Sequence, residues 1–422
     1  MSYATLRFVI AASVCLPSVA WSAQMRTDDS GVALELPEAQ TLAIAHQPLL
    51  EAQSAAVKSA SETAVAAAQL PDPKLTGSIT DLPINGPDRY SVRGDDFTMF
   101  TAGVMQNFPL AQKRHLRGEI GQRGAEMAEQ ELAASRLMVR RDAALAWLEV
   151  WRPERAAVVA RASAREADLQ AQAVEIAYRN AKATQADVLA ARTEAQLMRD
   201  EVDDLEQQAA QARDGLSRWI GDDAKRPLCP DLPAWGPAPD TDALLTRVRS
   251  HPMLNSAAKQ TEMAQAEVRL AKAAYRPDWG VELEYGNRPA FPDYISLKLS
   301  VDLPVFTHNR QDRDLAAKLQ DQDRAEQLQE DVWRQQAALA RQSLTNWQRL
   351  QERLKRYDQE ILPQSAQRVE AARLAWQSGQ GTLIAILDAR RVDLENRIKQ
   401  LDLQKDAAMN RLSLQFFAGE QP

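Results

Sequence analysis

Apolar and polar positions alternate strictly between residues 279 and 303. Trp279, Val281, Leu283 and Tyr285 take turns with Gly280, Glu282 and Glu284, and Ile295, Leu297, Leu299, Val301 and Leu303 with Ser296, Lys298, Ser300 and Asp302. Period two sends successive side chains to opposite faces, so the pattern predicts two strands, 279–287 and 294–303, each apolar on one face and polar on the other. Two weaker strand candidates, 75–82 and 97–108, flank a polar loop containing Asn85-Gly86-Pro87, and 97–106 alternates poorly. Elsewhere apolar residues recur every three or four positions, the helical spacing. Residues 113–180 and 310–378 are each nearly seventy long and dominated by Ala, Glu, Gln, Arg and Leu, which lose little rotamer freedom in a helix. At 1.5 Å per residue each run reaches about 100 Å, some three times the hydrocarbon thickness of a bilayer. Shorter helices are predicted over 37–70, interrupted early at Pro48 and stopped by Pro71-Asp72-Pro73, over 185–220, and over 241–275. Residues 27–34 read as a flexible lead and the proline-dense stretch 221–240 as a linker.

The pattern occurs twice, at an offset of about 200 residues. His46-Gln47-Pro48 is answered by His251-Pro252, Trp147 by Trp347, and Gln106-Asn107-Phe108-Pro109 with Lys113-Arg114 by Val301-Asp302-Leu303-Pro304 with Asn309-Arg310. The run from Ala177 to Arg192 is answered by that from Ala375 to Arg390. The sequence therefore predicts a first repeat over 24–220, a linker over 221–240 and a second repeat over 241–422.

Composition narrows the setting. The chain of 422 residues carries a net charge of −7, which argues against a nucleic-acid partner. Arg7, the apolar run from Phe8 to Leu16, Pro17 and small residues up to Ala23 form an export signal over 1–23, with cleavage expected between Ala20 and Gln24. Cys15 could instead be lipidated, although Ala12 and Val14 fit the required pattern poorly. Removal of the signal leaves Cys229 alone, so no intrachain disulfide is expected. No later segment offers the roughly twenty apolar residues of a spanning helix. Alternating strands of nine or ten residues suit an outer-membrane barrel; they also suit a hairpin half-buried on a soluble domain, and the export signal and the helix lengths favour the membrane. Four strands cannot close, and open edges are not tolerated in lipid. Three chains would supply twelve strands. The expected fold is mainly α with a small β part: a trimeric twelve-stranded barrel continued by a long periplasmic α-helical barrel.

These residues resemble the TolC family of outer-membrane efflux ducts: the duplicated helix-strand-strand-helix-helix plan, the stop at Pro71-Asp72-Pro73, and the run from Gly379 to Leu387-Asp388-Ala389. Val104-Met105-Gln106-Asn107-Phe108-Pro109 followed by Gln112-Lys113-Arg114 is most similar to the CzcC-type branch that serves heavy-metal exporters. The resemblance implies a homotrimer in outer-membrane lipid that docks a periplasmic adaptor and an inner-membrane resistance-nodulation-division (RND) pump and passively conducts substrate, with heavy-metal cations as cargo. It also implies a periplasmic gate. Asp187 stands where a hairpin aspartate makes the closing contact, Trp376 where its aromatic partner lies, and Asp388 where an entrance-ring aspartate favours cations; Ala385 occupies a further position where an acid is expected. Asp187 and Asp388 can equally be solvated helix-end charges. Gly379 and Gly381 permit a tight turn, and adaptor docking is expected there by similarity.

Nothing points to an enzyme. His46, His115, His251 and His308 lack ligand spacing, and His46 and His251, at equivalent positions beside proline, suggest structural roles. Met105, Met127 and Met138 read as packing residues. No metal site or cofactor is expected. The rival reading is a periplasmic coiled-coil adaptor (membrane fusion) protein, against which the duplication argues.

Overall fold

The Ala-rich run forms one helix of 69 residues, α3 (Ala111–Arg179). The computed structural model describes residues 33–94, 96–237, 239–289 and 291–419; the expected export signal and Cys15 lie outside them. Before α3 come α1 (Leu36–His46), α2 (Pro48–Ala67), β1 (Lys74–Thr80) and β2 (Met99–Phe108). It is followed by α4 (Gln185–Ile220) and a 3₁₀ turn, Gly221–Lys225. The second half runs α5 (Thr241–Arg249), α6 (Pro252–Ala273), β3 (Trp279–Arg288), β4 (Phe291–Val301), α7 (Gln311–Arg356), α8 (Leu362–Gln377) and α9 (Leu383–Phe417). Among the described residues no helix is long and apolar enough to cross a membrane.

Three expected helices are broken where proline enters. A residue before proline is pushed out of the α region, and Gln47 (ψ 111°) and His251 (ψ 137°) adopt extended backbone that separates α1 from α2 and α5 from α6. The expected helix over 310–378 relaxes into a π turn at Tyr357–Ile361, just ahead of Pro363, whose missing N–H cannot complete the ordinary ladder. Pro153 sits inside α3 without ending it.

Near the sheet α3 packs between α2 and α6, and α6 against α7. Toward the far end α3 packs between α4 and α9, and α9 against α8. Alanines on these faces let the helices approach closely: Ala143, Ala156, Ala160 and Ala340 are fully buried. Ion pairs join α3 to α9, Arg152 to Asp402 at 2.8 Å and Lys405 to Glu149 at 3.0 Å.

The main core surrounds Trp147, Leu148 and Trp151, and the end of the expected lead and part of the expected linker belong to it. Leu34, the end of the expected lead, is fully buried: its N–H donates to the Pro227 carbonyl (2.7 Å) and its carbonyl accepts from Cys229 N (3.1 Å) and Trp147 Nε1 (3.1 Å). The expected linker is a strap. Trp151 Nε1 donates to the Pro230 carbonyl (2.9 Å), Leu232 and Trp235 pack on the core, and buried Arg226 pairs with Glu38 at 2.6 Å. Prolines exclude regular structure there without preventing burial.

His46 and His251 do different jobs despite matching positions. Exposed His46 ends α1 through a contact of Nδ1 with the Leu42 carbonyl (3.1 Å). His251 is buried, caps α6 by accepting from Met253 N (3.2 Å), and meets the Phe416 ring edge-on at 4.9 Å. Burial lowers its pKa from the ordinary 6.5 to about 4. The unfolded chain therefore takes up the proton first as pH falls. The neutral ring's contribution is complete above about pH 6.5 and is lost between 6.5 and 4, up to about 3 kcal/mol. Melting in detergent at pH 7.5 and 4.5 should show a larger acid loss for the parent than for His251→Asn, which keeps a capping side chain but does not titrate. Equal losses would remove His251 from the acid response.

Candidate channel wall and entrance

The sheet and the opposite helical end are where the expected strands and the expected hairpin residues come together. Proline and an ionic bridge set the junction between helices and strands. Asp278 accepts from Leu110 N (2.8 Å) and pairs with buried Lys113 (3.0 Å), whose Nζ also donates to the Arg276 carbonyl (2.7 Å). One residue from the second half thus anchors the exit of β2 and the start of α3 in the first.

The four strands form one antiparallel sheet in the order β1-β2-β3-β4, with β1 and β4 at its edges. The register aligns Leu75, Val104, Leu283 and Leu297 across the sheet, and Gly77, Ala102, Tyr285 and Ile295 in the next row on the same face. This face is uncovered: Leu75, Leu283, Ile295, Leu297 and Leu299 are 84, 55, 74, 72 and 70 % exposed. Contiguous bare apolar surface of this kind marks an interaction face. Aromatic rings bound it at both ends. Phe108 stacks on Trp279 with centroids 4.4 Å apart at the helical end, and Phe100, Tyr285 and Phe291 lie toward the other. Eight residues separate Phe108 from Phe100, about 27 Å along a strand, close to the roughly 25 Å apolar band of outer-membrane barrels. The weak alternation of 97–106 is explained by Ala102 and Gln106 standing on the apolar face.

The other face is polar. Ser78 bonds Thr101 (2.8 Å), Thr76 donates to Glu282 (3.1 Å), and Lys298 bonds Glu284 and lies 3.8 Å from Glu282. The strict alternation of 279–303 already placed Glu282, Glu284 and Lys298 on one face, but the sequence reading singled out none of them.

At the far end two helical turns lie side by side. The first joins α3 to α4, the second α8 to α9, and both close with the same bonds: Lys182 N to Ala177 O (2.8 Å) and Gln380 N to Ala375 O (2.9 Å). The matching residues Ala181 and Gly379 both take positive φ, +55° and +76°, a conformation glycine adopts without cost. Gly381 allows a close approach, since a Cβ there would lie 3.0 Å from the Trp376 backbone nitrogen. Val174, Val188, Ala191 and Leu383 form an apolar cluster, with Trp376 packed against it, that ties the two hairpins together within one chain.

The expected gate residues Asp187, Trp376 and Asp388 all stand at this end of the chain. Asp187 completes a capping box, accepting from the Thr184 hydroxyl (2.7 Å) and N–H (2.8 Å) while its own N–H donates back to Thr184 Oγ1 (3.2 Å). Those bonds from Thr184, the hydroxyl's first, hold its carboxyl below the usual range. Trp376 packs against the apolar cluster. In the second hairpin Thr382 also caps its helix, accepting from Ala385 N (3.3 Å), and Ala385 stands where the first hairpin has Asp187. Asp388 is held by two arginines, Arg368 at 2.7 Å and Arg391 at 3.0 Å. Arg368 is twenty residues away on the neighbouring helix, and no spacing rule pointed to it. The surroundings are basic. Residues 175–192 hold three basic and two acidic side chains, and 368–391 hold four and two.

Comparison with known proteins agrees with this architecture. Residues 247–420 match the family described as outer membrane efflux protein. No curated protein matches the chain. Crystal structures of CusC superpose with a TM-score of 0.80 at 18% identity, covering 93% of each chain. The outer membrane protein VceC from Vibrio cholerae gives 0.76 at 20% identity, over 91% of this chain and 96% of that one. The Campylobacter jejuni CmeC outer membrane channel gives 0.77 at 13%, over 91% and 85%. At such identities the likeness is one of fold. The second half of the chain thus matches the outer membrane efflux protein family over residues 247–420, and the chain as a whole has the fold of these solved outer-membrane channels.

Proposed function

We propose that three copies of this chain form an outer-membrane efflux duct, a twelve-stranded barrel continued by a tube of helices into the periplasm. One observation carries the proposal: a four-stranded sheet, bare and apolar on one face, polar on the other, with an unpaired strand at each edge. A lone sheet of this form can neither hide its apolar face in water nor satisfy its edges in lipid. Edge strands β4 and β1 run antiparallel, so copies can pair edge to edge until the ring closes, the apolar face meeting lipid. The shared element order of the two halves supports a tandem duplication, 24–220 and 241–422, bridged by 221–240. Residues 1–23 then serve export to the periplasm.

By analogy with the resembled family, a periplasmic adaptor and an RND pump deliver the cargo. The hairpin turns at Gly379 and Gly381 are the docking tips, and Asp187, Trp376 and Asp388 stand at the entrance. The motif around Val104–Lys113 supports heavy-metal cations as cargo. The two arginines on Asp388 lend no support to a cation-attracting ring.

The test is assembly. In membrane fractions the mature protein is expected to run as a trimer on unheated gels and as a monomer after boiling. A detergent-free, water-soluble monomer would refute the duct.

A further inference from the structure

Four charged side chains stand on the polar face of the strands between the helical end and the bulge at Gly286/Arg288: Lys74, Glu282, Glu284 and Lys298. The register sets Lys74, Met105, Glu282 and Lys298 in one row and Thr76, Gly103, Glu284 and Ser296 in the next. Lys298 bonds Glu284 and reaches within 3.8 Å of Glu282, which also accepts from the Thr76 hydroxyl. The three charged groups are not equally presented. The Glu284 and Glu282 side chains are 11 and 22 % exposed, Lys298 54 %. An ion moving past this face meets the ammonium first, with the carboxylates withdrawn behind it.

We propose that Lys298 sets the ionic preference of the barrel, a proposal that rests on the reading of this sheet as one third of a closed pore. With two carboxylates in each chain, three copies bring six to the lumen. Rings of charged side chains decide which ions a pore admits. Covered by Lys298 and balanced by Lys74, these carboxylates exert little net pull, and the barrel passes solutes of either sign. The cargo class this lumen fits is therefore broad, anionic and neutral solutes as well as cations, and any sorting by charge falls to the partners that load the duct.

Removing the ammonium exposes the pull. Glu282, which accepts from Thr76, and Glu284 would then face the lumen with no ammonium laid over them. Reversal potentials in planar bilayers under a KCl gradient measure the result. The parent is expected to pass K⁺ and Cl⁻ within about twofold of each other, and Lys298→Gln to favour K⁺ by about fivefold or more. That preference should vanish when Glu282→Gln and Glu284→Gln are added. Lys298→Arg should match the parent. The double variant Glu282→Gln/Glu284→Gln, with Lys298 kept, should turn toward Cl⁻, and it tests the same claim should Lys298→Gln fail to assemble. Conducting channels whose selectivity ignores these changes overturn the role of Lys298 and leave the duct standing. A parent that assembles no channel overturns both.

Discussion

Leu283→Arg is expected to stop the chain from assembling in the outer membrane. Leu283 lies in the middle row of the bare face, between Val104 and Leu297, with more than half of its surface uncovered. Arginine at the midplane of a barrel's lipid face costs about 2–4 kcal/mol, and a trimer carries the cost three times. The matched control is Ser296→Arg, one strand over on the polar face beside Glu284, where an added cation meets water and a carboxylate. Gel migration of membrane fractions should show heat-modifiable trimer for Ser296→Arg and none for Leu283→Arg. Both variants assembling alike would mean that the apolar face does not meet lipid. On a soluble domain the same arginine would be harmless or helpful, so the outcome also separates the duct from a water-soluble protein bearing a hairpin.

The second large effect is expected at the waist. Trp147 is fully buried in the main core, and its indole N–H donates to the Leu34 carbonyl at 3.1 Å. Trp147→Ala should lower stability by about 3–5 kcal/mol, chiefly through the cavity left behind. Trp147→Phe keeps most of the volume and loses the bond, a cost of about 1 kcal/mol. Trp347, its counterpart in the second half, gives the contrast. Its indole nitrogen is buried without a hydrogen-bond partner, so Trp347→Phe gives up no bond and should cost less than Trp147→Phe. Denaturant melts of the four proteins, parent included, decide the order. Equal costs for the two Phe variants would show that the Leu34 carbonyl contributes nothing to the waist.

The two halves thus share a sequence pattern without sharing every interaction. Trp147 is tied to the chain's beginning because Leu34 and the strap lie over it, whereas Trp347 packs with Leu244, Val248 and Leu414. His46 and His251 diverge in the same way, one in water and one beneath Phe416. The tips diverge through a single position. Asp187 returns the bond of its capping threonine, and Ala385 cannot.

Element types and faces were legible because they rest on local periodicity. The return helix over 185–220 appears with the expected bounds, and the strands over 279–287 and 294–303 agree within a few residues. Period two decided which residues of β3 and β4 face apart, since backbone geometry alone sends neighbours to opposite sides. Proline marked the breaks, visibly at Pro48 and less so at Pro252 and Pro363, because its effect depends on whether the preceding turn can relax. The burial of the linker was not legible for a physical reason: proline density reports that a segment cannot form a helix or an inner strand, not whether it is buried. The partners of the charged side chains were beyond local reading. Asp388 looked like a free carboxylate until α8 brought Arg368 beside it, and Glu282 and Glu284 looked like solvent-facing acids until β4 laid Lys298 across them. Spacing along one segment determines which way a side chain points. What it points at is set by another segment, twenty or two hundred residues away, and only the tertiary structure supplies that neighbour.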